Sequence, residues 1–471
     1  MSNDIEHPTP ATGAVPGAAR VKVVDGKATI ESPEYDGNPS SLVRTANEID
    51  RDKPHPLYVV WEITLACDLG CRHCGSRAGP ARDGELSTEE CLDVVHQLRD
   101  LGVREITLIG GEAYLRDDWH IIATEITRCG MSVGMTTGAR SLTQERVDQA
   151  VAAGLKTISI SIDGLEKTHD AQRGVKGSWQ AAIEASKRVA ASPIRLATNT
   201  QINRLSLPEL PALADLLSEL GSKAWQIQIT VAMGRAADRP ELLLQPFELL
   251  ELFPLLVWIK ETKLEPGGVQ LFPGNNIGYF GPYEHLLRYG GHLGAHWTGC
   301  SAGQWTLGME ADGKVKGCPS LPSNSWTGGY VKDLTIEDIV QNTEELTHIS
   351  NRTVEDLWGF CRTCYYADIC KGGCTWTSYC LSGKAGNNPY CIHRAMQREK
   401  EGKRERIVKR GPAPGLPFDH GLFDIVLEDA PEREGEEALV SGKSLEEVLQ
   451  LATKDPSIWD KQSIIARLKT S

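Results

Sequence analysis

The sequence predicts an α/β fold: six βα units whose parallel sheet curls toward a barrel, followed by a separate cysteine-rich region. Three observations predict it. Between about residues 56 and 240, short β-branched runs alternate with amphipathic segments that open on capping residues. Glycines stand where those helices would end. Eight of the 13 cysteines then crowd between about 295 and 395.

Along the chain, Val21–Ile30 alternates around Asp25-Gly26, the turn of a small hairpin. The expected strands of the barrel are 58–64, 105–109, 133–137, 157–162, 195–202 and 225–231. Between them, Ser87-Thr-Glu-Glu90 and Ser206-Leu-Pro-Glu209 read as capping boxes, and Ser178 precedes an amphipathic run to Ala190. Gly102, Gly130, Gly154 and Gly221 fall at helix C-caps. Domain bounds follow: 1–55 an N-terminal extension, 56–285 the barrel, 286–400 the cysteine-rich domain, 401–471 a charged tail. The tail opens with a helix-like segment through Arg410, then Pro412–Pro417, an acidic stretch 428–437 and a short capped helix from Ser444.

Composition narrows the function classes. A net charge of −13 and a pI near 5.5 argue against broad binding to nucleic acid or anionic membranes. Met1–Arg20 is rich in Pro, Ala and Gly, without the apolar core of a secretory signal. The apolar stretch near Leu249–Ile259 is broken by Glu251 and Pro254 and is too short to cross a bilayer. So many thiols without a signal suggest metal ligands in a reducing cytoplasm, not disulfides. The expectation is a cytoplasmic metalloprotein.

The chemistry concentrates at Cys67-Asp-Leu-Gly-Cys71-Arg-His-Cys74, directly after the first strand. In a parallel α/β barrel, sites form at the strands' C-terminal ends. Three thiolates can hold three irons of a [4Fe–4S] cluster and leave the fourth open to a chelating molecule. A closed zinc site would need a fourth ligand, and none follows at finger spacing. Gly110-Gly111-Glu112 ends the second strand, with glycines for close approach and a carboxylate for an ammonium group. Ser161-Ile-Asp163-Gly164 ends the fourth, and Arg173 follows with a planar fork suited to a carboxylate.

The CxxxCxxC run and these strand-end motifs together resemble the radical S-adenosylmethionine (SAM) superfamily, which implies a partial (β/α)6, TIM-like barrel. By that resemblance the open iron takes the amino and carboxylate groups of SAM. Gly110, Gly111 and Glu112 would hold its ammonium, Ser161 its ribose and Arg173 its carboxylate. Asp163 would be either a second ribose contact or a turn residue. Thr137 stands where the family's Thr-Asn-Gly element has Asn, and Ala113 where Pro is usual after Glu. His73 occupies the position of an aromatic on the adenine, or serves as a hydrogen-bond donor behind it. Met233, in Met-Gly-Arg-Ala, matches a backbone contact to adenine.

The second half resembles a SPASM domain, which implies two auxiliary [4Fe–4S] clusters and three in all. Cys300 and Cys318 flank Gly313, and Cys361-x2-Cys364-x5-Cys370-x3-Cys374 is followed by Cys391. By analogy Cys361, Cys364, Cys370 and Cys391 hold one cluster, and Cys300, Cys318 and Cys374 the other. Cys380 is either its fourth ligand or a free thiol. Tetrathiolate zinc is the alternative metal. Cys91 and Cys129 lie inside helix patterns as core or surface residues.

SPASM enzymes mostly modify peptides. The resemblance therefore implies a peptide maturase that removes a substrate hydrogen through a 5′-deoxyadenosyl radical and forms a C–S or C–C crosslink in a ribosomally made peptide. Implied partners are that peptide, a separate leader-binding protein and an electron donor such as flavodoxin or ferredoxin. Residues 267–289, with Phe272, Asn275, Asn276, Tyr279, Tyr283 and His285, read either as a peptide groove or as a structured connector. A sulfatase maturase would carry Asp after Cys318, where this chain has Pro319. A small-molecule radical SAM dehydrogenase is the other alternative. No residue is assigned as general base.

Overall fold

The computed structural model describes residues 20–24, 27–31, 46, 50, 55–288, 296–297 and 299–430. The helix expected from Ser444 lies outside them. Near the N-terminus, β1 (Arg20–Val24) and β2 (Lys27–Glu31) pair antiparallel, with Val24 opposite Lys27.

The barrel sheet is built from β3 (Tyr58–Glu62), β4 (Glu105–Ile109), β5 (Ser132–Thr137), β6 (Thr157–Ser161), β7 (Arg195–Ile202) and β8 (Ala224–Ile229), each parallel to the next. The sheet does not stop at six strands. A seventh, β9 (Gln270–Pro273), adds parallel to β8. On the other edge β10 (Thr306–Met309) adds parallel to β3 and continues antiparallel into β11 (Lys314–Lys316) and β12 (Thr327–Tyr330). One sheet of ten strands thus carries both the first cysteine loop and the start of the cysteine-rich region.

Alternation along the strands fixes the two faces. Ile106, Leu108, Val133, Ile158, Ile160, Leu196, Trp225 and Ile227 turn toward the helices and form one buried core with Val94, Val95, Leu98, Ile122 and Leu213. The helix Thr88–Asp100 opens on the expected box, with Ser87 Oγ accepting from Glu90 N and Glu90 accepting in return. Gly102, Gly130, Gly154 and Gly221 have φ of 76–90°, as their C-terminal positions require.

Other local expectations fail for tertiary reasons. The Ser206–Glu209 box does not form: Ser206 Oγ donates to Gln201 O, while Glu209 accepts from Leu165 N on another unit. The apolar stretch 249–259 belongs to Pro240–Leu264, long and apolar enough to cross a membrane, yet its most apolar window is mostly buried within the protein. The charged segment beyond Cys391 is helical only to Lys400. It then turns into β13 (Lys403–Gly411), which pairs antiparallel with β14 (Leu422–Asp429). Like charges at Arg404 and Arg406 are neutralised there across the strands by Glu428, so the hairpin needs no helix to satisfy them.

Candidate functional site

The loop after β3 holds the cysteine triad by its backbone. Cys67 N donates to Gly79 O at 2.8 Å, and Gly70 N and Arg72 N donate to the carbonyls of Arg173 and Gln172. Arg235 clamps the loop from β8, its Nη1 on Cys71 O at 3.1 Å and Nη2 on Ala78 O at 2.6 Å. Backbone amides point at two sulfurs, Leu69 N to Cys67 Sγ and Ala78 N to Cys74 Sγ, both at 3.4 Å. Burial pushes the Cys67 thiol up to about 12 and the Cys71 thiol up to about 11. A buried thiol becomes a thiolate when a cation is bound to it.

Gly110 and Gly111 serve the loop itself. A Cβ at Gly110 would lie 2.3 Å from Thr64 O, and one at Gly111 2.2 Å from Ala66 O. Only glycines let the end of β4 press against the chain leading into Cys67. The neighbouring Glu112 is 2% exposed, and its oxygens accept from Gly138 N at 2.7 Å and from Thr137 Oγ1. Burial pushes its carboxyl up to about 7, in the absence of any paired cation among the described residues. Thr137 thus reaches Glu112, the residue the Gly-Gly-Glu motif presents.

Asp163 is fully buried and organises the other side. Its Oδ2 lies 2.7 Å from Arg173 Nη2 and 3.2 Å from His73 Nε2, and Oδ1 accepts from Gln201 N. Burial opposes its charge, but Arg173 and His73 hold it well below the usual carboxylate range. Arg173 Nη1 also reaches Cys71 Sγ at 3.7 Å. Ser161 ends β6 at 6% exposure. Met233 and Gly234 press on the loop from β8, where a Cβ at Gly234 would lie 2.2 Å from Cys74 O.

The cysteine-rich region forms two further groups. Cys361, Cys364, Cys370 and Cys391 line one cavity, walled by Phe280, Phe360, Tyr366 and His393. Three consecutive left-handed residues, Lys371, Gly372 and Gly373, turn the chain from Cys370 to Cys374. A Cβ at Gly373 would strike Tyr279 at 2.5 Å, and Tyr279 Oη accepts from Cys374 N. Burial raises the thiols of Cys318 and Cys374, and Cys300 lies close enough to both to add to the rise. Cys380 is fully buried beside Cys374 and Cys318, and burial raises its thiol well above the ordinary value. Arg352, 3% exposed, donates to Thr375 Oγ1 at 3.0 Å beside this group, and its Nη2 is buried without a hydrogen-bond partner.

These arrangements fit iron–sulfur clusters and a zwitterionic ligand. At the triad, His73 Nδ1, Arg173 Nε and Asp68 Oδ1 are buried without partners, polar atoms that a bound group would satisfy. At the second region a buried guanidinium stands beside thiols and has no carboxylate within bonding distance among the described residues, which suits an anionic thiolate cluster.

Sequence reasoning missed Arg77, Lys316, Phe418 and Asp419, which join the site across long stretches of chain. For 267–289 the sequence leaves a peptide groove and a structured connector both open. There Asn276, Tyr279 and Tyr283 are buried, and Asn276 bonds both Ile229 N and Ile229 O, so this part of the segment is a connector packed on β8.

A family model for the radical SAM superfamily matches residues 61–217, from β3 to the helix before β8. Residues 61–217 form a radical SAM domain, and the chain is an enzyme. Its SAM and one [4Fe–4S] cluster are those of the superfamily. Among curated relatives, the AdoMet-dependent heme synthase of Methanosarcina barkeri is 29% identical over 72% of this chain and 97% of its own length. The mycofactocin maturase MftC of Mycobacterium tuberculosis is 26% identical over 78% of this radical SAM chain and 92% of its own. Among solved structures, Streptococcus suis SuiB bound to SAM matches with a TM-score of 0.58 at 16% identity, covering 72% of this chain and 78% of SuiB, and bears on the fold.

Proposed function

We propose that this radical SAM enzyme matures a ribosomally made peptide and carries three [4Fe–4S] clusters: one at Cys67, Cys71 and Cys74, one at Cys361, Cys364, Cys370 and Cys391, and one at Cys300, Cys318 and Cys374 with Cys380 adjacent. One observation carries the substrate class. The sheet face opposite the helices presents uncharged amides and hydroxyls toward the strands' C-terminal ends: Thr136, Ser159, Asn199, Gln201, Gln226 and Gln228, all at least partly exposed. Asn199 Nδ2 donates to Ser159 Oγ and Gln201 Nε2 to Gln228 Oε1, so the row is preformed across neighbouring strands. Such a surface suits the amide groups of an extended peptide. The MftC relative, named a maturase, supports the same reading.

When bound, SAM and the reduced first cluster supply a 5′-deoxyadenosyl radical that takes one hydrogen from the substrate. The chain's own residues bind, aim and exclude water. Glu112 accepts the SAM ammonium, which draws its carboxyl back to the ionised form. Arg173, steadied by Asp163, offers its free Nε on the carboxylate side, and Ser161 and the Met233–Gly234 turn contact the nucleoside. The two cysteine groups of the second region would hold auxiliary clusters, which would supply an acceptor for the electron left on the substrate, with a C–S or C–C crosslink as the product. An electron donor of the flavodoxin or ferredoxin type and a leader-binding protein complete the system.

A heme-forming reaction is the second reading, favoured by the 29% identity to a named heme synthase. Its substrate would carry carboxylates, which the amide row does not match with cations. Anaerobic co-expression with any short peptide encoded beside the gene, followed by tandem mass spectrometry, tests both. A loss of about two hydrogens in the peptide is expected for an oxidative crosslink. An unchanged peptide, with SAM turnover stimulated by an iron tetrapyrrole, would establish the second reading instead.

A further inference from the structure

The hairpin of β13 and β14 closes through residues 412–421, although two residues suffice to join paired strands. The added length reaches the first cysteine loop. Phe418 N donates to Gly75 O at 3.2 Å, one residue after Cys74, and Asp419 O accepts from Gly234 N at 2.8 Å. Asp419 Oδ1 accepts from Arg77 Nε at 2.7 Å, and Arg77 Nη2 donates to Gly234 O at 2.9 Å. Arg77 is also shared with the more exposed Asp238. Asp419, at 6% exposure, therefore ties the Cys74 loop, the Met233–Gly234 turn and the hairpin tip into one unit.

Phe418 holds φ at +55°, a conformation that costs a bulky L-residue and persists only where the surroundings impose it. Its ring is buried with Val231, Met233 and Cys380, beside Trp376. Lys316 Nζ, fully buried and paired with Glu310 at 2.7 Å, sits 3.8 Å from the ring centroid. Trp376 Nε1 in turn points at Met233 Sδ at 3.0 Å. The ring thus plugs the space between the Cys74 loop and the chain around Cys318, Cys374 and Cys380.

We propose that Phe418 and Asp419 are positioning residues of the SAM–cluster site: Asp419 fixes the Cys74 loop through Arg77 and Gly234, and Phe418 keeps water out of the gap between the first and second cysteine regions. This rests on the radical SAM assignment of the triad.

The test uses the full chain, reconstituted anaerobically with iron and sulfide. Phe418→Gly is the informative variant, because glycine adopts φ +55° without strain and loses only the ring. Its iron content should match the parent, while the cluster absorbance should bleach in air about tenfold faster, as expected when a water-excluding contact of ordinary strength is lost. Asp419→Asn should bind SAM about tenfold more weakly and show a smaller SAM-induced change in the electron paramagnetic resonance signal of the reduced cluster. Phe418→Tyr should behave as the parent. Parental bleaching in Phe418→Gly together with parental SAM binding in Asp419→Asn would overturn the role of the tip. A parent whose reduced cluster gives no SAM-dependent signal would instead overturn the assignment beneath it.

Discussion

Arg173 Nη1 lies 3.7 Å from the sulfur of Cys71, and the same guanidinium binds Asp163 at 2.7 Å. One cation therefore belongs to both the cysteine loop and the strand end that faces it. Removing it should do more than weaken SAM. Arg173→Ala leaves Asp163 buried without its main counter-charge, at a cost of about 3–5 kcal/mol. Thermal unfolding should shift down and iron retention should fall, both read on the same reconstituted sample.

Glu112→Gln should separate ligand binding from folding. The amide keeps the size of the group but cannot pair with an ammonium, a loss of about 1.5–3 kcal/mol. Equilibrium binding should show SAM weakened by about one to two orders of magnitude with iron content unchanged. Equal affinity in parent and variant would mean that Glu112 does not face the SAM ammonium.

Iron counting checks the cluster inventory. Anaerobic reconstitution should give about 12 irons per chain, and Cys67, Cys71 and Cys74 changed together to Ala should leave about 8 and abolish SAM cleavage. Zinc in place of iron at the second region, with SAM cleavage intact, would reassign those thiols.

Arg352 offers a contrast between the loaded and empty protein. Its guanidinium is buried beside Cys374 and, among the described residues, has only neutral acceptors, Thr375 Oγ1 and Lys371 O, within bonding distance. The nearby Asp356 is spent on capping Thr353 N at the surface. Arg352→Met should leave the iron-free chain as stable or more so, because an unpaired buried charge has been removed. The loaded chain should lose stability, and its auxiliary cluster should be reduced at a lower potential. The checks are paired melting curves and a redox titration.

Stability should also depend on pH through Glu248. Burial raises its carboxyl to about 7, with Arg204 opposing the shift. A carboxyl raised in the folded state contributes stability that is full below the unfolded value and lost as pH rises through about 7. Melting temperature should therefore fall between pH 5 and 8, and less steeply in Glu248→Gln. Glu112 acts in the same direction in the SAM-free chain, so part of the slope should survive in that variant.

What the sequence made legible was what it writes locally. The six strand positions and the Ser87 box depend on residues a few places apart, and the cavity lined by Cys361, Cys364, Cys370 and Cys391 collects the four thiols that the SPASM resemblance groups. What escaped depends on distance. Ser206 lost its box because Glu209 was drawn to Leu165 in another unit. The β10 strand is four residues long and gains meaning only beside β3. The charge-rich run after Lys400 reads as a solvated helix until Glu428 arrives opposite Arg404 and Arg406.

The 342 positions that separate Arg77 from Asp419 have a consequence for biogenesis. During synthesis the Cys67–Cys74 loop emerges long before the tip that will cover it, so the nascent barrel exposes three thiols to any iron–sulfur donor. Once residues 412–421 dock, the bonds from Phe418 N to Gly75 O and from Arg77 to Asp419 hold the loop from behind, while Cys67 and Cys74 stay partly exposed. The hairpin is thus a late latch on the frame of the loop, fastened only after the rest of the barrel has been made.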